Sequence, residues 1–395
     1  MTSLLRSLRA ILFVPAALAA LLLFAPRSAD ATVYTWRDTG TTWNTGTNWL
    51  PGLPVASSTN SLLFQGAGGG TLTNNLNALS TGVGGITFSA AAGAYTINGS
   101  STLGLGNITN SSSSTQTFNG PISQVFAGTY SGPGNIVIAG GFSGSQNVSF
   151  TGTGDLEFKS SGKTYTGTVS ASSGRVLLNA SITNGDLALS SNANFESGAS
   201  VVVKNFSNTG SGTMTIGSSG ESTLSTTNFD LTGFTGTTFM TASGPGVSDL
   251  VSTASMNTFG GTLDISLNYL PTNFDHLLQG ESWDFFSAAS SAGNFSAINL
   301  TVSGSTYSLV NNGGFWSTPA LGGSFGAQDG FFFSTQDTTI TFSGETVTVK
   351  AGTLYAVPEP STVVFAGIGA AMFGWSTWTR RRAKVRRRAI EAAIA

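Results

Sequence analysis

Short segments of the form apolar-x-apolar recur between Gly66 and Leu270, and they constrain the fold more than any other feature of the chain. Alternation with a period of two directs one set of side chains of a strand toward a common interior. Gly, Asn and Ser lie between the segments and supply turns. The segments are 86–88, 95–97, 103–105, 136–138, 148–150, 156–158, 176–178, 187–189, 201–203 and 214–216. The sequence therefore predicts an all-β fold.

The starts of these segments mostly lie 8 to 14 residues apart, a spacing that suits either a β-sandwich or a β-helix. We favour a right-handed parallel β-helix or a similar β-solenoid for residues 66–270. Strands this short suit stacked coils, and no amphipathic helical pattern interrupts the region.

Charge and cysteine content narrow the classes of function. Charged residues make up 9% of the chain, well below the roughly 25% of ordinary globular proteins. Residues 32–357 carry six cations and fifteen acidic residues, a formal net charge of −9. Such a surface does not neutralise phosphates, so we predict that nucleic acid is not a partner. The chain has no cysteine, so it has neither disulfides nor thiolate metal sites. Disorder is the alternative for such a composition, but the β-branched and aromatic residues argue against it.

Large aromatic residues mark both ends of the repeat region. In residues 32–65, Trp36, Trp43 and Trp49 lie six or seven residues apart. We interpret 32–65 as a cap that covers the open end of the β-stack, and a carbohydrate-binding aromatic platform is the alternative. Residues 271–350 are also rich in Phe and Trp and are predicted to form a C-terminal β cap, with ligand binding by the same rings as the alternative.

At the end of the C-terminal cap, Thr338 to Val349 alternates as a final strand. Residues 351–357, between this cap and the C-terminal tail, are predicted to be a linker.

The N-terminus has the layout of a secretory signal peptide over residues 1–31. Arg6 and Arg9 precede an apolar run from residue 10 to residue 25, and the small-x-small pattern at Ala29 and Ala31 predicts cleavage after Ala31. An uncleaved anchor helix is the alternative. Both interpretations place the body of the protein outside the cytoplasm.

The C-terminal tail, 358–395, has three parts in a fixed order. The triplet Pro358, Glu359, Pro360 comes first, and the uncharged segment 361–379 follows it. As a helix, the 17-residue apolar core from Thr362 to Trp378 would be about 26 Å long, just enough to cross the hydrocarbon of a bilayer. A cluster of cations then stops transfer and keeps the C-terminus cytoplasmic. These cations are Arg380, Arg381, Arg382, Lys384, Arg386, Arg387 and Arg388.

This tail resembles the PEP-CTERM sorting signal of Gram-negative bacteria, which combines a Pro-Glu-Pro triplet, a short transmembrane helix with glycines and an Arg-rich end. The resemblance implies recognition by an exosortase-type processing enzyme and cleavage near Pro358 to Pro360. The opening around Asn48-Trp49 and the stretch 86–122 resemble autotransporter-associated β-strand repeat proteins, a group of secreted solenoids. That second resemblance implies an elongated β-solenoid ectodomain.

Motifs that could support catalysis are scarce. His276 is the single histidine, and its place beside Asp275 in a loop favours a surface role. The sequence Gly162-Lys163-Thr164 lacks the first glycine of a phosphate loop. The local acidic pairs at 155 and 157 and at 281 and 284 offer too few oxygens for calcium. We therefore predict no catalytic residue, no metal and no cofactor.

Together these features predict an exported, non-enzymatic structural protein of the cell surface or extracellular matrix. It would be anchored in the inner membrane as a precursor and then processed by the exosortase-type enzyme. The alternative is a carbohydrate-binding or carbohydrate-active ectodomain resembling a polysaccharide lyase, and an adhesin differs from the scaffold only in its partner. Acidic residues clustered on one face would favour the enzyme, and scattered ones the scaffold.

Overall fold

The chain forms an all-β solenoid. The computed structural model describes residues 31–159, 163–218, 220–269, 271, 281–318, 329–342 and 345–358. Over these residues the solenoid makes about 9 turns, which confirms the prediction of an all-β solenoid. No helix within these ranges is long and apolar enough to cross a membrane. The predicted membrane segment 361–379 lies outside the described residues, as does the signal peptide apart from Ala31.

The strands are short and follow one another closely along the chain. The first eighteen are β1 (Val33–Trp36), β2 (Trp49–Leu50), β3 (Ser57–Phe64), β4 (Gly70–Thr73), β5 (Val83–Phe88), β6 (Tyr95–Asn98), β7 (Leu103–Asn110), β8 (Gln116–Phe118), β9 (Ile122–Gln124), β10 (Gly128–Ser131), β11 (Ile136–Ile138), β12 (Phe142–Gly144), β13 (Val148–Phe150), β14 (Asp155–Phe158), β15 (Thr168–Ala171), β16 (Arg175–Leu178), β17 (Asp186–Leu189) and β18 (Asn194–Ser197). The rest are β19 (Val201–Val202), β20 (Asn205–Asn208), β21 (Thr213–Ile216), β22 (Thr223–Asp230), β23 (Thr237–Gly244), β24 (Val247–Ser248), β25 (Leu250–Phe259), β26 (Thr262–Leu267), β27 (Ser282–Asp284), β28 (Phe286–Ser287), β29 (Ser290–Gly293), β30 (Ala297–Val302), β31 (Ser305–Ser308), β32 (Val310–Asn311), β33 (Phe315–Ser317), β34 (Asp329–Ser334), β35 (Thr338–Phe342), β36 (Glu345–Val349) and β37 (Thr353–Pro358). Two short 3₁₀ helices, η1 (Gly46–Asn48) and η2 (Asn77–Thr81), lie near the N-terminal end.

Most strands stack in parallel into two large sheets, one of 17 strands and one of 13. In the 13-stranded sheet, Ile136 of β11 pairs with Leu156 of β14, which pairs with Val176 of β16. Each partner lies 20 residues further along the chain, so about 20 residues complete one turn here. The parallel pairing decides for the solenoid, because the sheets of a β-sandwich are antiparallel.

One continuous core runs through the stack. Side chains along strands such as β16 and β17 alternate between buried and partly exposed positions, as period two requires. The buried set is apolar, and successive turns place like residues above one another. Phe206 and Phe229, for example, stack with ring centroids 5.2 Å apart. The apolar-x-apolar pattern therefore describes the interior of the coil.

Three tryptophans pack together at the N-terminal end. Trp36, Trp43 and Trp49 are all buried. Trp49 meets Trp36 edge to face at 5.0 Å between ring centroids and Trp43 at 5.5 Å. The Trp49 indole N–H also donates to the Trp43 carbonyl over 3.0 Å. A carbohydrate platform needs exposed ring faces, so that interpretation is wrong for these three residues.

The C-terminal aromatics belong to a different arrangement. Strands β27, β37, β34, β33 and β32 form a five-stranded antiparallel sheet, which we call the terminal sheet. Its aromatic side chains and their neighbours are buried, so they are unsuited to ligand binding. The buried residues are Trp283, Phe285, Phe286, Phe295, Phe315, Trp316, Phe331, Phe332 and Phe333.

Two local expectations differ from the structure near the C-terminus. The segment predicted as one final strand, Thr338 to Val349, is the antiparallel pair β35 and β36. The segment assigned as a linker, 351–357, contains most of β37, in which Leu354 and Ala356 are fully buried. The linker assignment is wrong, because these residues pair with strands β27 and β34, which lie far away in the sequence.

Candidate functional site

The predicted sorting triplet begins at the last residue of the final described strand. Pro358 is the last residue of β37, and its backbone pairs with Asp329 of β34. Ala31, at the predicted signal cleavage site, is exposed and immediately precedes the first turn. The remaining predicted site residues lie outside the described residues, as does His276. They are Ala29, Glu359, Pro360, Arg380, Arg381, Arg382, Lys384, Arg386, Arg387 and Arg388.

Strand β37 is held on both sides as far as Ala356, and its pairing with β34 continues to Pro358. Leu354 pairs with Trp283 of β27 on one side and with Phe333 of β34 on the other. The Ala356 N–H donates to the Glu281 carbonyl over 2.8 Å. The structure thus leaves almost no spacer between the terminal sheet and the triplet.

One ionic cluster lies on the outer face of the 13-stranded sheet. Arg175 donates to Asp155, with its Nη2 2.8 Å from Oδ2, and it also pairs with Glu196. A neighbouring carboxylate, Glu157, accepts a 2.8 Å hydrogen bond from Asn179. The sequence pattern missed the contact between Arg175 and Glu196 because the two residues lie 21 positions apart and meet only through stacking of successive turns.

The chemistry of this cluster is that of a surface ion-pair network. Hydrogen bonding to Asp155, reinforced by the nearby carboxylate charges, raises the pKa of Arg175, so its guanidinium stays charged. All these side chains are partly exposed, and such pairs contribute little to stability, about 0 to 1 kcal/mol. No group of three or more metal-ligating side chains occurs in the described part of the chain.

Asp249 is the buried acidic side chain among the described residues. Its Oδ1 accepts a hydrogen bond from the Ser222 N–H at 3.0 Å, and its Oδ2 accepts from the Thr241 N–H at 2.6 Å and the Thr241 hydroxyl at 2.9 Å. Burial raises its pKa more than these hydrogen bonds lower it, and the nearby Glu221 charge adds to the rise. The arrangement ties β22, β23 and β25 together through one carboxylate.

We expect Asp249→Asn to lower the free energy of unfolding at pH 7 by about 1 to 3 kcal/mol, because an amide would turn an N–H toward a backbone donor. A raised folded-state pKa means that the folded protein binds the proton more tightly, so wild-type stability rises as the pH falls toward about 3.9, the ordinary Asp value. The variant lacks this gain. Urea unfolding between pH 7 and about pH 4 should therefore show a widening gap between wild type and variant.

The control for this measurement is Asp230→Asn, which removes an exposed carboxylate on β22. It should change stability little and show no such widening. A gap that stays constant with pH for Asp249→Asn would show that its carboxylate has an ordinary pKa.

Comparison with protein-family models, curated proteins and solved structures found no match to this chain.

Proposed function

We propose that this protein is an exported structural component of the cell surface or extracellular matrix, sorted through a C-terminal signal of the exosortase type. The observation that carries the proposal is the position of Pro358. Strand β37 runs up to this residue, and the Pro-Glu-Pro triplet starts there. A processing enzyme that cleaves near the triplet would release a complete folded body.

The route to the surface follows from the two ends of the chain. Residues 1–31 direct export and are removed after Ala31. Segment 361–379 spans the inner membrane as a helix, and the cations from Arg380 to Arg388 hold its end in the cytoplasm. Cleavage between Pro358 and Pro360 then transfers the body to the surface or to extracellular polysaccharide.

The body acts through its shape and surface. Parallel strand-to-strand crossovers are almost always right-handed, which supports a right-handed coil. The buried aromatic residues at both ends favour the interpretation of these regions as caps. Such caps would shield the terminal strand edges from pairing with other chains. A carbohydrate-active ectodomain is the second candidate, and the cluster around Arg175 is the observation in its favour. That arginine is already occupied by two carboxylates, so the structural role has the stronger support.

The test is the intact mass of protein recovered from the surface or medium. Wild type should begin at Thr32 and end between Pro358 and Pro360. A variant with alanine at 358, 359 and 360 should keep its tail and stay in the membrane fraction. Glu391→Ala, a change in the same tail beyond the cations, should be processed like wild type. If wild type and the triple variant both retain the tail, the sorting proposal is wrong.

A further inference from the structure

A buried lysine lines a cavity on the side of the solenoid. Lys163 is 5% exposed, although it carries the strongly hydrated ammonium group that proteins rarely bury. Beside it lies a cavity of about 360 Å³ that three separate segments of the chain form together. The lining residues are Lys163, Thr164, Asn179, Ala180, Ser181, Thr183 and Ser200.

The ammonium group of Lys163 has no anionic partner among the described residues. Its Nζ donates to the Gly140 carbonyl, which uses one of its three N–H donors. Both ion pairs in the described ranges belong to Arg175. Burial lowers the pKa of Lys163 to about 8, and no neighbouring carboxylate offsets that effect. A buried charge without a partner is costly, so an anionic ligand that paired with this ammonium group would relieve that cost.

The rest of the lining offers uncharged hydrogen-bonding groups. The Ser181 hydroxyl accepts from the Val202 N–H at 2.9 Å, and the Ser200 hydroxyl accepts from the Thr223 N–H at 3.0 Å. Each hydroxyl therefore keeps its own hydrogen to donate. The carboxylate linked to the cavity is Glu157, which already accepts from the Asn179 amide. The lining thus combines one cationic residue with neutral donors.

Size and access also restrict the ligand. Small-molecule sites occupy about 300 to 1,000 Å³, so this cavity has room for a sugar ring and more room than a single oxyanion fills. Thr164, Thr183 and Ser200 are exposed and form an open rim, whereas Lys163 lies at depth. The positive charge of Lys163 is complementary to one carboxylate of a ligand. The Ser and Thr hydroxyls and the Asn179 amide of the lining can form hydrogen bonds with the hydroxyls of a sugar.

We propose that this cavity binds a carboxylate-bearing sugar unit of an acidic polysaccharide, with the Lys163 ammonium group on the carboxylate and the surrounding polar groups on the sugar hydroxyls. The inference extends the proposed matrix role by naming its partner. Sugar binding and tail processing are measured separately, so either proposal can fail without the other.

Calorimetry on the full-length chain, in a detergent without a sugar headgroup, tests the site with D-glucuronate as the probe. Wild type should bind glucuronate, and Lys163→Met should weaken binding at least tenfold. The matched control is Lys159→Met, which removes an exposed cation four residues away and should bind like wild type. D-Glucose, the neutral counterpart, should bind at least tenfold more weakly than glucuronate.

Three results would overturn the proposal: no glucuronate binding to wild type, equal binding by Lys163→Met, or equal binding of glucose. Tighter binding of inorganic phosphate than of glucuronate would also overturn it in favour of a simple oxyanion site.

If Lys163→Met does not fold, the pH dependence of glucuronate binding to wild type tests the proposal instead. Affinity should fall as the pH rises above about 8, because the ammonium group then loses its proton, and an affinity that is flat from pH 7 to pH 9.5 would contradict the role of Lys163.

Discussion

Gly128→Ala should lower the free energy of unfolding by about 3 kcal/mol, the upper end of the usual cost of overpacking. A Cβ atom at Gly128 would lie 1.9 Å from the carbonyl oxygen of Gly106, one turn earlier. Gly106 and Gly84 face the preceding turn in the same way, with corresponding distances of 2.8 and 2.3 Å. These obstacles are backbone atoms of the preceding turn, so relief requires the turns themselves to separate. Urea denaturation followed by tryptophan fluorescence measures the loss.

Gly68→Ala is the matched control, because a Cβ atom there would have no heavy atom within 4 Å. Both substitutions restrict the unfolded chain equally, so their difference isolates the clash between turns. Equal stability of the two variants would show that the turns around β7 and β10 yield more easily than the structure indicates.

The strands of the solenoid could be predicted because their signal is local. The segment at 156–158 matches β14, and that at 176–178 matches β16, since alternation along a strand reflects burial of every second side chain. The tryptophan cap could be predicted for a related reason: three large apolar rings in a chain of small residues have few other places to be buried.

Contacts between successive turns could not be predicted, because they join residues about 20 positions apart that carry no shared local pattern. The sequence pairs Asp155 with Glu157, whereas the structure joins Asp155 to Arg175. Lys163 attracts notice in the sequence only as part of an incomplete phosphate loop. Its significance comes from burial beside Asn179 and Ser200, which only the stacking of turns creates. The burial of 351–357 could not be predicted either, because the strands that pair with β37 lie far from it in the sequence.

Leu354→Asp should unfold the terminal sheet while leaving most of the solenoid intact. Leu354 is fully buried near the start of β37, which lies between β27 and β34. The substitution removes a large apolar side chain and buries a carboxylate, a combined loss of at least about 4 kcal/mol. Each solenoid turn contacts mainly its neighbours, so the loss should stay near the C-terminal end. Hydrogen exchange should show lost protection in β27, β34 and β37 and retained protection in β11, β14 and β16.

Lys350→Asp introduces the same acidic side chain at an exposed position just before β37 and should leave exchange in the terminal sheet unchanged. The comparison also bears on sorting, because β37 connects the folded body to Pro358. If the terminal sheet fixes the boundary of processing, Leu354→Asp should yield additional shorter products that end within β37, whereas Lys350→Asp should give the wild-type mass. Loss of protection throughout the solenoid would show instead that the turns unfold as one unit, and the terminal sheet would then be part of the core that stabilises the whole stack.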